Sequence, residues 1–205
     1  LGSGFDVFGL AVAGPGDELK LQRNTIGHIR IRSISGDHGV LSKVPEENTA
    51  GVALIAYLNA VCERSGFDIF LRKRMPLGSG MGSSAASAVA AVFAANELLG
   101  RPMNKRELVR WAAEGERVAS GAVHADNIAP SMLGGITLVR SIHADDIVSL
   151  PVPSGCQLVV VHPHCEVKTS DARMVLPKSI PLKTGITQWS NTAALVAACY
   201  TDDLK

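Results

Sequence analysis

From Phe67 the chain puts apolar Phe67, Ile69 and Leu71 on every second position until Met75 and Pro76 close the run, the period of a strand with one buried face. Ahead of it, Val52, Leu54, Ile55, Leu58 and Val61 recur at helical spacing. They predict an amphipathic helix over Thr49 to Arg64, with Asn48 or Thr49 as its cap and Gly66 as its stop. Beyond a glycine-rich loop, an Ala-rich helix is predicted from about Ser84 through Leu99, stopped by Gly100 and Pro102. Asn104 and Glu107 have the spacing of a capping box. They open a further helix that carries Leu108, Val109, Trp111, Ala112 and Val118 toward Gly121.

Short strands are predicted at Glu18 to Gln22, His28 to Ile34, Gly135 to Arg140 and Gln157 to His162, and a helix at Ser190 to Tyr200. Gly2, Gly4, Gly9, Gly14 and Gly16, with Pro15, make the opening loop-rich. No internal repeat or low-complexity linker interrupts the chain. Strands and helices follow in mixed order without strict βαβ alternation, which points to an α+β fold.

Composition narrows the function. With 205 residues, 46% hydrophobic and only 4% aromatic, the core must be built from Ala, Val, Leu and Ile. A formal charge of +1 from 20 basic and 19 acidic residues gives no positive surplus for nucleic acid. No apolar run reaches the roughly 18–20 residues that span a bilayer, since Asn96 and Glu97 break the Ala-rich stretch. Cys62, Cys156, Cys165 and Cys199 form no CxxC pair, which suits a reducing, cytoplasmic setting. The chain begins at Leu1 with neither an initiator Met nor a signal peptide, so the natural N-terminus is expected upstream.

Candidate chemistry concentrates in Pro76-Leu77-Gly78-Ser79-Gly80-Met81-Gly82-Ser83-Ser84-Ala85-Ala86, with Ser87 following, between a predicted strand and a predicted helix. Three glycines let the backbone approach a ligand closely, and the unpaired N–H groups of a helix start can point at anionic oxygens. Ser79, Ser83 and Ser84 add hydroxyls that bond phosphate or face Mg²⁺. The loop is neither a Walker A sequence nor a GxGxxG dinucleotide fingerprint. A tight turn that merely lets a helix pack on a sheet is the plainer alternative.

Glu116, His124, Asp126 and Asn127 form a second constellation where a helix ends and a Gly-rich turn begins. Phosphoryl transfer to an alcohol needs a carboxylate-held cation and a positioned hydroxyl, and these residues offer both. A solvated helix end would contain similar groups. Asp6 lies among the opening glycines, where turn formation alone would account for it. Arg173 suits bidentate capture of a carboxylate, a task for which Lys is poorer; a surface Arg is the plain reading. His162, His164 and Cys165 have no second cluster to complete a zinc site, so zinc is not expected.

Pro76 through Ala86 resembles the signature of the GHMP kinases throughout. Glu116, His124, Asp126, Asn127, Ala129, Pro130, Gly134 and Gly135 resemble the more specific pattern of the homoserine kinase branch. Leu1 to Leu10 looks like that family's first motif, minus the Asn that normally precedes the Leu. Val160 to Pro163 and Thr169 to Pro177 resemble a strand and a loop that supply a Thr and an Arg to the site.

The resemblance implies a two-part α+β GHMP kinase fold. Its ATP-binding part, of ribosomal protein S5 domain 2-like form, would occupy residues 1–150, and residues 151–205 would begin a ferredoxin-like C-terminal part. It implies ATP on Pro76 through Ser87, Mg²⁺ on Ser83 and Glu116, and L-homoserine held by Asp6, His124, Thr169 and Arg173. Asp126 or Asn127 would lie beside the hydroxyl that attacks the γ-phosphate, with Asp126 as general base left open. The implied product is O-phospho-L-homoserine, an early intermediate of threonine synthesis, and a homodimer is a family expectation. Full family members continue into a third glycine-rich motif and another substrate-binding Arg, so this chain is expected to be incomplete. A mevalonate or sugar kinase of the same superfamily, or a non-catalytic nucleotide-binding fragment, are the alternatives.

Overall fold

A computed structural model of the chain describes residues 2–14, 16–120, 124–161 and 169–203, without the side chains of 119–120 and 169–170. In chain order the elements are β1 (Phe8–Leu10), β2 (Glu18–Asn24), β3 (Arg30–Ser35), α1 (Thr49–Ala60), β4 (Gly66–Arg72), α2 (Ser83–Leu98), α3 (Lys105–Ser120) and α4 (Ala125–Leu133). They continue with β5 (Ile136–Val139), β6 (Ile147–Leu150), α5 (Thr169–Met174) and α6 (Leu182–Thr201). The mixed order is that of an α+β chain, as its pattern predicted.

One sheet runs β2-β4-β3, with β4 antiparallel to β2 and parallel to β3. The parallel pair needs a crossover, and α1 supplies it. Phe67, Ile69 and Leu71 of β4 are all buried, the alternation read from the sequence. Each such side chain contributes on the order of 1.5–3 kcal/mol when fully removed from water. Phe67 and Ile69 meet Leu54, Tyr57 and Leu58 of α1, the Ala-rich face of α2, and Leu108, Val109 and Ala112 of α3 in one core. Asn96, which breaks the apolar run in the sequence, is buried near the end of α2. There it accepts from Tyr57 Oη at 2.9 Å and from the Met103 N–H at 3.1 Å.

A second, antiparallel sheet runs β1-β5-β6. α6 packs on its Phe8 and Leu150 through Leu195, Val196 and Cys199. α4 lies directly against β1. A Cβ on Gly9 would stand 1.9 Å from Asp126 O and 2.6 Å from Pro130 Cγ, so only glycine allows this approach.

Several expectations are corrected. α1 ends at Ala60 rather than Arg64, because Cys62 takes a left-handed φ of 55° and turns the chain, and Gly66 opens β4 instead of stopping a helix. The segment around Asp126, read as a turn, is helix α4 in spite of Pro130 within it. Residues 157–161 form no strand, having no partner strand among the described residues, and Val159 and Val161 are exposed. Thr169 to Met174 is a short helix where a loop was expected, and α6 starts at Leu182 rather than Ser190.

Candidate active site

The loop between β4 and α2 takes the conformation its glycines permit. Gly78, Gly80 and Gly82 have φ of 67°, 72° and 75°, the left-handed region that L side chains avoid. Gly82 is the N-cap residue of α2 and has no side chain with which to cap it, and the first in-helix bond runs from the Ala86 N–H to Gly82 O at 2.9 Å. The N–H groups of Ser83, Ser84 and Ala85 therefore precede the hydrogen-bonded ladder, the arrangement that receives an anion at a helix start. Pro76, Gly78 and Gly80 are exposed, Leu77, Ser79, Met81, Ser84 and Ala86 half-buried, and Ala85 is in the core. Ser87 is turned into the core, where its hydroxyl meets Lys73.

The second constellation comes to this loop from α3 and α4. Glu116 is only 3% exposed near the C-terminal end of α3. Burial pushes its carboxyl up from the usual range, and a hydrogen bond from the Ser84 side chain pulls the other way, so α3 is tied to the loop. Asn127, in the first turn of α4, lies 3.7 Å from the place a Gly82 Cβ would occupy. Asp126 beside it is pushed up by burial and then by the Asp6 carboxylate. His124 precedes α4 as its N-cap residue and is buried.

Asp6 and Arg173 complete the group from opposite ends of the chain. Asp6 sits at φ 59° in the turn before β1, and Arg173 comes from α5. One guanidinium nitrogen donates to Asp6 Oδ1 at 2.7 Å and Oδ2 at 2.8 Å, and lies 3.1 Å from His124 Nδ1. A guanidinium only donates, so Nδ1 accepts and the His124 proton is on Nε2. That Nε2 is buried and, like Arg173 Nε, has no hydrogen-bond partner among the described residues. Asp6, His124 and Asp126 also bring ligand atoms within 4.8 Å of one another. Because Arg173 already lies on Asp6 and His124, the cluster is a place for a cationic group. Ser83 and Glu116, both buried, each offer the hard oxygen donor that Mg²⁺ prefers, although the serine bonded to Glu116 is Ser84.

Known proteins are similar to this chain. Residues 48–135 match the family described as GHMP kinases N terminal domain, a span that includes the loop, Glu116, Asp126 and Asn127. A homoserine kinase of Methanococcus maripaludis (strain C5 / ATCC BAA-1333) is 39% identical over 100% of this chain and 67% of its own length. The chain belongs to the GHMP kinases, on their homoserine kinase branch. A homoserine kinase of Chlorobium phaeobacteroides (strain BS1) is 48% identical over 98% of the chain and 66% of its own length. The crystal structure of homoserine kinase from Cytophaga hutchinsonii superposes with a TM-score of 0.90 at 47% identity, over 98% of this chain and 64% of that one. The chain thus spans about two thirds of the length of the relatives it matches.

In this GHMP kinase chain Glu116 and Asn127 stand at the glycine loop, and Asp6, His124, Asp126 and Arg173 cluster with one another. The Thr169 side chain, and His162, His164 and Cys165, lie outside the described residues. Two residues escaped notice altogether. Asp17 and Lys73 form a buried ion pair behind the loop, with side chains 1% and 2% exposed. Burial pushes the Asp17 carboxyl upward, but hydrogen bonds from Lys73, the Arg74 and Met75 N–H groups and Ser83 outweigh it and hold the group below its usual range. Desolvation pulls the Lys73 ammonium down, and the Asp17 carboxylate opposes this. The signal was in the strand: after Phe67, Ile69 and Leu71, the next inward position is Lys73.

Proposed function

We propose that the protein is a homoserine kinase that transfers the γ-phosphoryl group of ATP to the side-chain hydroxyl of L-homoserine. The observation that carries this reading is the meeting of Asp6 and Arg173 at 2.7–2.8 Å beside Asp126 and the glycine loop. A free α-amino acid has an ammonium and a carboxylate on one carbon. Asp6 fits the first and Arg173 the second, so such a substrate replaces each partner of the ion pair with its own opposite charge. Neither mevalonate nor a sugar offers that pair of charges.

On this reading the segment Pro76 through Ser87 forms the nucleotide loop, with Ala85 and Ser87 packed inward beneath it and the phosphates facing the N–H groups at the start of α2. Ser83 and Glu116 hold Mg²⁺, which when bound neutralises charge on the phosphates. His124 Nε2–H and Thr169 add contacts to homoserine. The hydroxyl oxygen attacks the γ-phosphorus, the bond to the bridging oxygen breaks, and ADP departs with that electron pair. The hydroxyl proton passes to the Asp126 carboxylate, whose raised affinity for protons suits it to the task, and Asn127 positions the hydroxyl. Residues 1–150 form the ATP-binding domain and 151–205 begin the second domain. The product, O-phospho-L-homoserine, feeds threonine synthesis in the cytoplasm, and the family expectation of a homodimer travels with the assignment.

The test is calorimetric titration with L-homoserine in the presence of Mg²⁺ and a non-hydrolysable ATP analogue, with mevalonate and galactose as comparators. Selective homoserine binding is expected. Binding of mevalonate or galactose in its place would overturn the assignment.

A further inference from the structure

Asp17 and Lys73 take no part in the chemistry above, yet no other ion pair among the described residues is buried as deeply. At such depth an ion pair has no general advantage in stability over apolar side chains of the same volume. What this one fixes is the first turn of α2. The Lys73 ammonium donates to Asp17 Oδ2, to the Ser83 carbonyl at 2.8 Å and to Ser87 Oγ at 2.7 Å. Asp17 Oδ1 accepts from the Arg74 and Met75 N–H groups at 2.8 and 3.1 Å, which ties the pair to the entrance of the loop. Asp17 Oδ2 accepts the Ser83 hydroxyl at 2.7 Å.

A serine hydroxyl has one proton and two lone pairs. With the proton committed to Asp17, the lone pairs of Ser83 Oγ remain to face a cation, and the carboxylate behind it increases the electron density on that oxygen. Lys73 neutralises Asp17, so no net negative charge stands behind a loop that receives phosphate. We propose that the Asp17–Lys73 pair is the positioning element of the nucleotide site, holding the Ser83 hydroxyl with its lone pairs toward the magnesium of a magnesium–nucleoside triphosphate. This rests on the reading of Ser83 given above.

Asp17→Asn and the double variant Asp17→Asn/Lys73→Met test it. The asparagine oxygen keeps the two backbone N–H bonds, which turns its amide NH₂ toward Ser83. The amide then donates to Ser83 Oγ and occupies a lone pair, and the double variant removes the cation that would otherwise be stranded against that NH₂. The readouts are the melting transition and the calorimetric Kd of a non-hydrolysable ATP analogue with and without Mg²⁺.

In the folded variants the affinity without Mg²⁺ is expected to match that of the unaltered protein, while the tightening produced by Mg²⁺ falls by about tenfold or more. Unchanged tightening overturns the proposal. Equal losses with and without Mg²⁺, or no cooperative melt in either variant, assign the pair to loop shape or folding alone and overturn it too. An unaltered protein that binds no nucleotide, or gains nothing from Mg²⁺, fails the nucleotide reading itself and shows so without any variant.

Discussion

At the scale of single residues, the site sets acidic groups against their solvation. Asp126 is pushed up by burial and by Asp6, with His124 and Glu116 close enough to feel its charge. As proton acceptor it must be ionised, so kcat should fall on acidification at a pH above the ordinary carboxylate range, read from a pH–rate profile. The same shift has a stability sign. A carboxyl that binds its proton more tightly when folded favours folding below its unfolded pKa, and that contribution is lost as pH rises through the raised value. At pH 7 its ionised form therefore costs stability, and Asp126→Asn should leave Tm unchanged or higher while lowering kcat by roughly 10²–10⁴-fold. Arg173→Lys removes the planar fork but keeps the charge. Homoserine affinity should drop about tenfold or more with nucleotide affinity unchanged, since a hydrogen bond to a charged group is worth about 1.5–3 kcal/mol. Lys73 was legible too, as the next inward position of a period-two strand. Its partner was not, because nothing local links Asp17 to a residue 56 positions away.

At the scale of elements, two glycines decide where the catalytic groups stand. Gly82→Val places a β-branched residue at φ 75° and brings its side chain against Asn127. Beyond a strain of about 1–2 kcal/mol, it should abolish nucleotide binding in calorimetry while the cooperative melt survives. Gly9→Ala drives a methyl into Asp126 O and Pro130, so β1 and α4 must separate. A loss of about 1–3 kcal/mol in chemical denaturation is expected, together with lower kcat, because Asp126 rides on the displaced helix. The long helices were readable, since α2 is an Ala-rich run stopped by Gly100 and Pro102 and α3 has a full periodic face, and the Asn104–Glu107 capping box forms, the carboxylate accepting the Asn104 N–H at 2.7 Å. α4 was not readable: nine residues containing a proline carry too little pattern, and the helix is held by burial of Ile128, Ala129 and Met132.

At the scale of the molecule, the site belongs to no single segment. The turn before β1, the starts of α2 and α4, the end of α3 and α5 all contribute, and the Asp6–Arg173 pair joins positions 167 apart. Ligands that bridge these elements should stabilise the whole fold. A Mg²⁺–nucleotide analogue and homoserine, each at about 100 times Kd, should add roughly 2.7 kcal/mol apiece, or about 5–10 °C in Tm each, by scanning fluorimetry. Arg173→Lys should lose the homoserine part of that shift and keep the nucleotide part. The sequence by itself determined the periodic elements, the helix stops and the glycine loop, because spacing, capping and left-handed glycines are local properties of the chain. It also named the acidic and basic groups by type. Only the tertiary structure decided that Asp6 and Arg173 face one another, that Ser87 turns inward, and that Asp17 stands behind Ser83, because burial and opposite charge act between segments whose distance in space no local pattern records.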